Sequence, residues 1–190
     1  MNGDFLTHDA DKSARDLEAR AASLVNPASG LANDYLNIYN EVVMLIETLP
    51  NMPEAKEDIF NWRPTTYKDY FAKSILPGSQ NALENYAKLD SDFRKSFEDV
   101  VAELDRCATG SVVAIRRHYR QKGDDDPAAL ETICARAGTS LREILQRASN
   151  IVDHGQTHAE EVAQRRADRL LMVRIQAIKD VQDFYSRPRF

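Results

Sequence analysis

Glycine, proline, cysteine and long apolar runs are all scarce in this chain of 190 residues. The 7 glycines and 7 prolines are too few for a turn-rich all-β fold. The 2 cysteines, Cys107 and Cys134, stand far apart, without the paired spacing of a zinc site or the density of a disulfide scaffold. They read as packing residues in a reducing compartment, so a cytoplasmic protein is expected. The longest apolar run near the front, VVMLIETL, falls far short of the roughly 20 residues a membrane span needs. The opening MNGDFLTHDADKSARDLEAR has no basic start followed by an apolar stretch, and no secretory signal is expected.

Familiar chemical motifs are missing too. There is no phosphate-binding glycine loop and no serine nucleophile elbow. None of His8, His118, His154 or His158 follows a glutamate by three residues, as a di-metal carboxylate bundle requires. His154 and His158 have the i, i+4 spacing of a two-histidine clip, but Gly155 interrupts any helix between them. The segment RRHYRQKG resembles the active helix of histidine phosphotransfer domains, which carry Lys and Gly three and four residues after an exposed His. Here Lys122 and Gly123 follow His118 by four and five. His118 also continues an apolar stripe, so a core or boundary histidine is expected and phosphotransfer is not carried over. No cofactor or metal is expected.

Hydrophobic content of 43% and charged content of 29% place the chain among globular proteins. The net charge of -5 is unevenly distributed. Residues 1–105 hold 10 Lys/Arg and 19 Asp/Glu, whereas 106–190 hold 15 and 11. Arg116, Arg117 and Arg120, with Arg165, Arg166 and Arg169, form two local basic clusters. A mixed solvated surface accounts for them, and nucleic acid is not the favoured partner.

What is present is helical periodicity. A weak helix is expected over 9–24, then Asn26 as an N-cap, Pro27 at the first helical position and a helix to Leu49. Asn51 and Glu54 have capping-box spacing before a short helix over Pro53–Trp62, and Thr66 and Asp69 repeat that spacing. Ser79 is expected to cap a further short helix. From Asp90 a long helix runs to Lys122–Gly123 along Phe93, Phe97, Val100, Leu104, Cys107, Ser111, Ile115 and His118. After GDDDP, Asp126 and Pro127 open another. Its residues Leu130, Cys134, Ala137, Leu141, Ile144, Ala148 and Ile151 form a heptad seam. That seam suits either a neighbouring helix of the same bundle or a second chain. A final helix is expected over about 158–185. The fold class is all-α, a bundle of three or four long helices with short helices packed over one end. Residues 1–25 form an N-terminal helical arm and 26–190 the bundle domain.

The most unusual stretch is SGLANDYLNIYNEVV, beginning at Ser29. Asparagine is a poor helix former, because its amide competes for nearby backbone groups. With about 100° per residue, Asn33, Asn37 and Asn40 fall within about 60° of one another. Asp34 and Glu41 lie beside them. The apolar residues Leu31, Tyr35, Ile38, Tyr39, Val42, Val43, Leu45, Ile46 and Leu49 occupy the other face. No Lys or Arg occurs from 21 to 55. A row of carboxamides can donate and accept at once. It suits an extended peptide or a loop of the same chain. Trp62 and Arg63 are residue types that anchor interfaces. The expected contact surface is therefore Asn33, Asp34, Asn37, Asn40 and Glu41, together with Trp62 and Arg63. The expected function is a non-catalytic helical interaction or regulatory protein, self-associating as a homodimer through 128–152. A metal- or small-molecule-binding bundle using Asp34 and Glu41 is one alternative, and a DNA-associated regulator using the basic final helices is another.

Overall fold

The computed structural model describes residues 24–155, together with Gln164, Leu171, Met172 and Arg174. Most of the expected arm, the bulk of the expected final helix, His158 and the Arg165, Arg166 and Arg169 cluster lie outside the described residues. The described chain is all-α. Six helices follow in order: α1 Asn37–Thr48, α2 Lys56–Asn61, α3 Tyr67–Lys73, α4 Ser79–Lys88, α5 Ser91–Lys122 and α6 Pro127–His154. Short 3-10 turns, Asn33–Leu36 and Pro53–Ala55, lead into α1 and α2. Among the described residues the extended structure is a single bridge, Val25 with Ala32. None of the described helices is long and apolar enough to cross a membrane.

Local chemistry sets most of the boundaries. Asp90 accepts hydrogen bonds from the Asp92 and Phe93 amides at the start of α5, and Asp126 accepts from Ala129 at the start of α6. Each satisfies amides that a helix start leaves unpaired. Thr66 accepts from the Asp69 amide at 3.1 Å and donates to the Asp69 carboxylate at 2.8 Å. The expected capping residue thus works as read, through a hydroxyl–carboxylate variant of the box. Gly123 and Gly155 close α5 and α6 with φ of 59° and 70°, a region that costs other residues steric strain.

Three expected boundaries are corrected. Asn26 does not start a helix at Pro27. Its side-chain oxygen accepts from Ala28, its carbonyl accepts from Gly30, and its amide donates to the Leu31 carbonyl. This closes a loop, with Gly30 at φ 72°, and the α-helix begins only at Asn37. Asn51 caps nothing: the residue before the Pro53 turn is Met52, without a side-chain bond. Ser79 is the first residue of α4, and its hydroxyl donates to the Leu76 carbonyl.

The short linker between them makes α5 and α6 antiparallel partners. α1 lies mainly along α6, and also touches α5. The seam residues Leu130, Cys134, Ala137, Leu141, Ile144, Ala148 and Ile151 are all buried in this single chain. The heptad pattern therefore serves packing within the bundle. Exposing even one buried Leu or Ile costs about 1.5–3 kcal/mol, so a second chain cannot use the seam without opening the bundle.

The short helices cover the flank of α1 and α5 with aromatic rings. Tyr35 meets Tyr39, Tyr67, Tyr70 and Phe97, and Tyr67 stacks on Tyr86 with centroids 4.5 Å apart. Phe60 of α2 meets Tyr119 of α5. The loop before α1 is held from both sides. The Ala32 amide donates to the Tyr67 hydroxyl, and a Cβ on Gly155 would lie 2.1 Å from the Ala28 carbonyl oxygen. Only a glycine lets the end of α6 approach that loop so closely.

Candidate functional site

A groove of about 450 Å3 runs between α1, with its leading turn, and α6. Asn33, Asp34, Leu36, Asn37 and Asn40 line one side, and Arg142, Leu145, Gln146 and Ser149 the other. Asn33, Asn37 and Asn40 are exposed, while Tyr35, Tyr39, Val42, Val43 and Ile46 of the opposite face are buried. The sequence pattern thus separates wet and dry faces of α1 as expected. The α6 wall repeats the pattern: Arg142, Gln146 and Ser149 are spaced by four and three residues, like Asn33, Asn37 and Asn40. This spacing keeps Arg142, Gln146 and Ser149 on one face of α6, and the 3-10 turn brings Asn33 to the groove beside Asn37 and Asn40.

Both ends of the groove are tied. At one end Arg142 holds Glu47 with two guanidinium bonds, the Nε bond at 2.6 Å. That bond, with the charge of Arg142, keeps the Glu47 carboxyl below its usual range. The Glu47 side chain lies against Gly138, where a Cβ would sit 2.9 Å from it. At the other end Asn33 donates to Asp153 at 3.3 Å, and Ser149 donates to the second oxygen of the same carboxylate. Between the ties, Asn40 donates to Asn37 over a long 3.4 Å, and Gln146 donates to Asn150 at 2.9 Å. The Asn37 amide N–H groups and the carbonyl oxygens of Asn33, Asn40 and Gln146 take no partner among the described residues.

The other predicted residues lie elsewhere. Glu41 is exposed on α1 but does not line the groove. Trp62 is half-buried, donates from its indole to the Ile38 carbonyl at 3.2 Å and packs near Tyr39. Arg63 donates to the carbonyls of Phe60 and Trp62 at the end of α2. Neither lines the groove. Arg116 also bonds the Phe60 carbonyl, so one member of the described basic cluster is engaged within the fold. His118 is buried, as its place on the apolar stripe predicts. No three His, Cys, Asp or Glu side chains among the described residues are grouped as ligands for a metal ion.

Sequence reasoning missed the α6 wall, because Arg142, Gln146 and Ser149 were overshadowed by the heptad seam beside them. Their repeated spacing was the available signal. It also missed a polar chain within the core. Tyr35 donates to the Thr65 carbonyl at 2.9 Å, Tyr39 donates to Asp105 at 2.7 Å, and the two phenol oxygens lie 3.3 Å apart. Burial raises the Tyr35 phenol to about 12 and pushes Tyr39 upward as well. Burial also raises the Asp105 carboxyl, against the bond from Tyr39 and the charge of Arg106.

The fold and groove define a helical bundle with a polar interhelical cleft. Comparison with protein-family models, with curated proteins and with solved structures finds no match for the chain.

Proposed function

We propose that this chain is a non-catalytic helical interaction protein whose contact surface is the α1–α6 groove. The carrying observation is the exposed carboxamide row of Asn33, Asn37 and Asn40, facing a second polar row across a cleft tied at both ends. Carboxamides bind by donating and accepting hydrogen bonds and neither take up nor release a proton near neutral pH. Asn40, inside α1, occupies an exposed helix position that otherwise favours Glu, Lys, Gln or Arg, which cost less helix propensity. Trp62 and Arg63 support this surface indirectly, by fixing the loop on the other side of α1. Self-association, if it accompanies this role, falls to a surface other than the buried seam. Light scattering on the purified chain decides that part.

The test is site-specific photocrosslinking in cells of the source organism. A photoreactive residue replaces Asn37 in one version and exposed Gln121, far along α5, in another. The reading expects a discrete adduct with another protein from position 37 and none from 121. Adducts from 121 alone, or from neither position, contradict it.

A further inference from the structure

We propose that the groove takes an extended peptide segment of a partner protein, about five residues long, gripped by its main chain and carrying basic rather than acidic side chains. This rests on the groove being the contact surface. The length follows from the two ties: Arg142 and Asp153 are eleven residues apart on α6, about 16 Å at 1.5 Å per residue. That spans about five extended residues at 3.3 Å each.

The conformation follows from the lining. A helix laid in the cleft has its own backbone groups paired and offers the carboxamides nothing but side chains. An extended segment offers a free donor and acceptor at every residue. The groove presents the complementary set: the Asn37 N–H groups and the oxygens of Asn33, Asn40 and Gln146, none with a partner among the described residues. Arg142 and Gln146 on the α6 wall are about 6 Å apart along the axis, close to the two-residue repeat of a strand at about 6.7 Å. Alternate side chains of the segment then point toward Leu36 and Leu145, the apolar members of the lining.

The charge preference follows from what is already neutralised. Arg142 is held by Glu47, and Arg147, next along α6, by Glu103 of α5. Asp34 and Asp153 stand at the cleft, and Glu41 lies exposed beside it on α1. An acidic segment meets these carboxylates with no uncommitted cation in the lining. A lysine or arginine in the segment meets them favourably.

The probe is a displayed library of random heptapeptides, selected on the full chain and counter-selected on the Asn37→Ala/Gln146→Ala variant. Enriched peptides are then made synthetically, and their affinities measured for both proteins. Both substitutions are on exposed helix positions, and thermal unfolding confirms that the variant remains folded. The expected binders are enriched in Lys or Arg and lose about tenfold or more in affinity on the variant. They lose a comparable factor when a central backbone N–H is methylated, because one hydrogen bond to a peptide group is removed. Binders that need Asn37 but tolerate methylation, or that are helical when bound, overturn the extended-segment inference and leave the groove as the contact surface. Acidic binders overturn the charge preference. Binders indifferent to Asn37 and Gln146 count against the groove itself. A selection that yields no binder overturns the peptide inference, while photocrosslinking at position 37 still judges the broader reading.

Discussion

The two faces of the α1 region carry polar groups of opposite status. On the inner face, Tyr35 and Tyr39 are fully buried, and their hydroxyls reach Thr65 and Asp105 on other elements. On the outer face, Asn37 and Asn40 are exposed and reach chiefly each other, at 3.4 Å. A buried polar group left without its partner costs about 1–3 kcal/mol, whereas an exposed one exchanges with water at little cost. The inner set holds the fold together, and the outer set is free to bind something else. Polar residues on one helix are therefore not equivalent signals of function. What separates them is whether the fold already supplies their partners.

The largest effect should come from removing the ring at the centre of the inner face. Tyr35→Ala deletes a side chain that meets Tyr39, Tyr67, Tyr70 and Phe97. Chemical denaturation should show a loss of about 3–5 kcal/mol, as for large aromatic truncations in cores. A loss under about 1 kcal/mol would erase the contrast between the faces. Tyr39→Phe keeps the ring but removes the donor to Asp105, and should cost about 1–3 kcal/mol. Adding Asp105→Leu to Tyr39→Phe should recover part of that loss, because the unpaired carboxylate goes as well.

A smaller effect concerns pH, and here two carboxyls differ in sign. Between Thr65, Tyr35, Tyr39 and Asp105 there are three contacts but only two phenolic protons. Both are spent, on the Thr65 carbonyl and on the Asp105 carboxyl, so Asp105 accepts. Its folded pKa is raised, first by burial. Its contribution is therefore fully present below the unfolded value and is lost as pH rises through the folded value. Glu47 is held down by Arg142. Its contribution is present above the unfolded value and is lost as pH falls through the folded one. Unfolding curves across the acid range should show Asp105→Asn removing the component that favours low pH. Glu47→Gln should remove the component that favours higher pH. Unchanged pH slopes in both variants would contradict these assignments.

Much of the inner architecture was legible because its signals are local. Thr66, Asp90 and Asp126 sit within three residues of the amides they bond. The stripes of α5 and α6 repeat often enough to define their buried faces. The start of α1 was misread because Asn26-Pro27 suits both a helix start and a tight turn. The deciding contacts come from far along the chain, at Gly155 and Tyr67. The Tyr39–Asp105 bond joins residues 66 apart, and no spacing rule reaches that far. The candidate site was half legible. The asparagine row stood out by composition. The α6 wall did not, because which helix faces that row is decided by tertiary packing. Trp62 and Arg63 had the composition of an interface anchor, but their polar atoms serve neighbouring backbone carbonyls.

The most direct test of the contrast is the equilibrium stability of the Asn37→Ala/Asn40→Ala double variant beside the wild-type chain. Inside a helix, where Asn40 lies, alanine is the better former by roughly 0.5 kcal/mol, and Asn37 is the first residue of α1. If the outer face is free, the variant should be as stable as the wild type, or more stable by up to about 0.5 kcal/mol. A loss of more than about 1 kcal/mol would mean that these amides are structural. The groove would then be part of the fold rather than a place kept open for a partner.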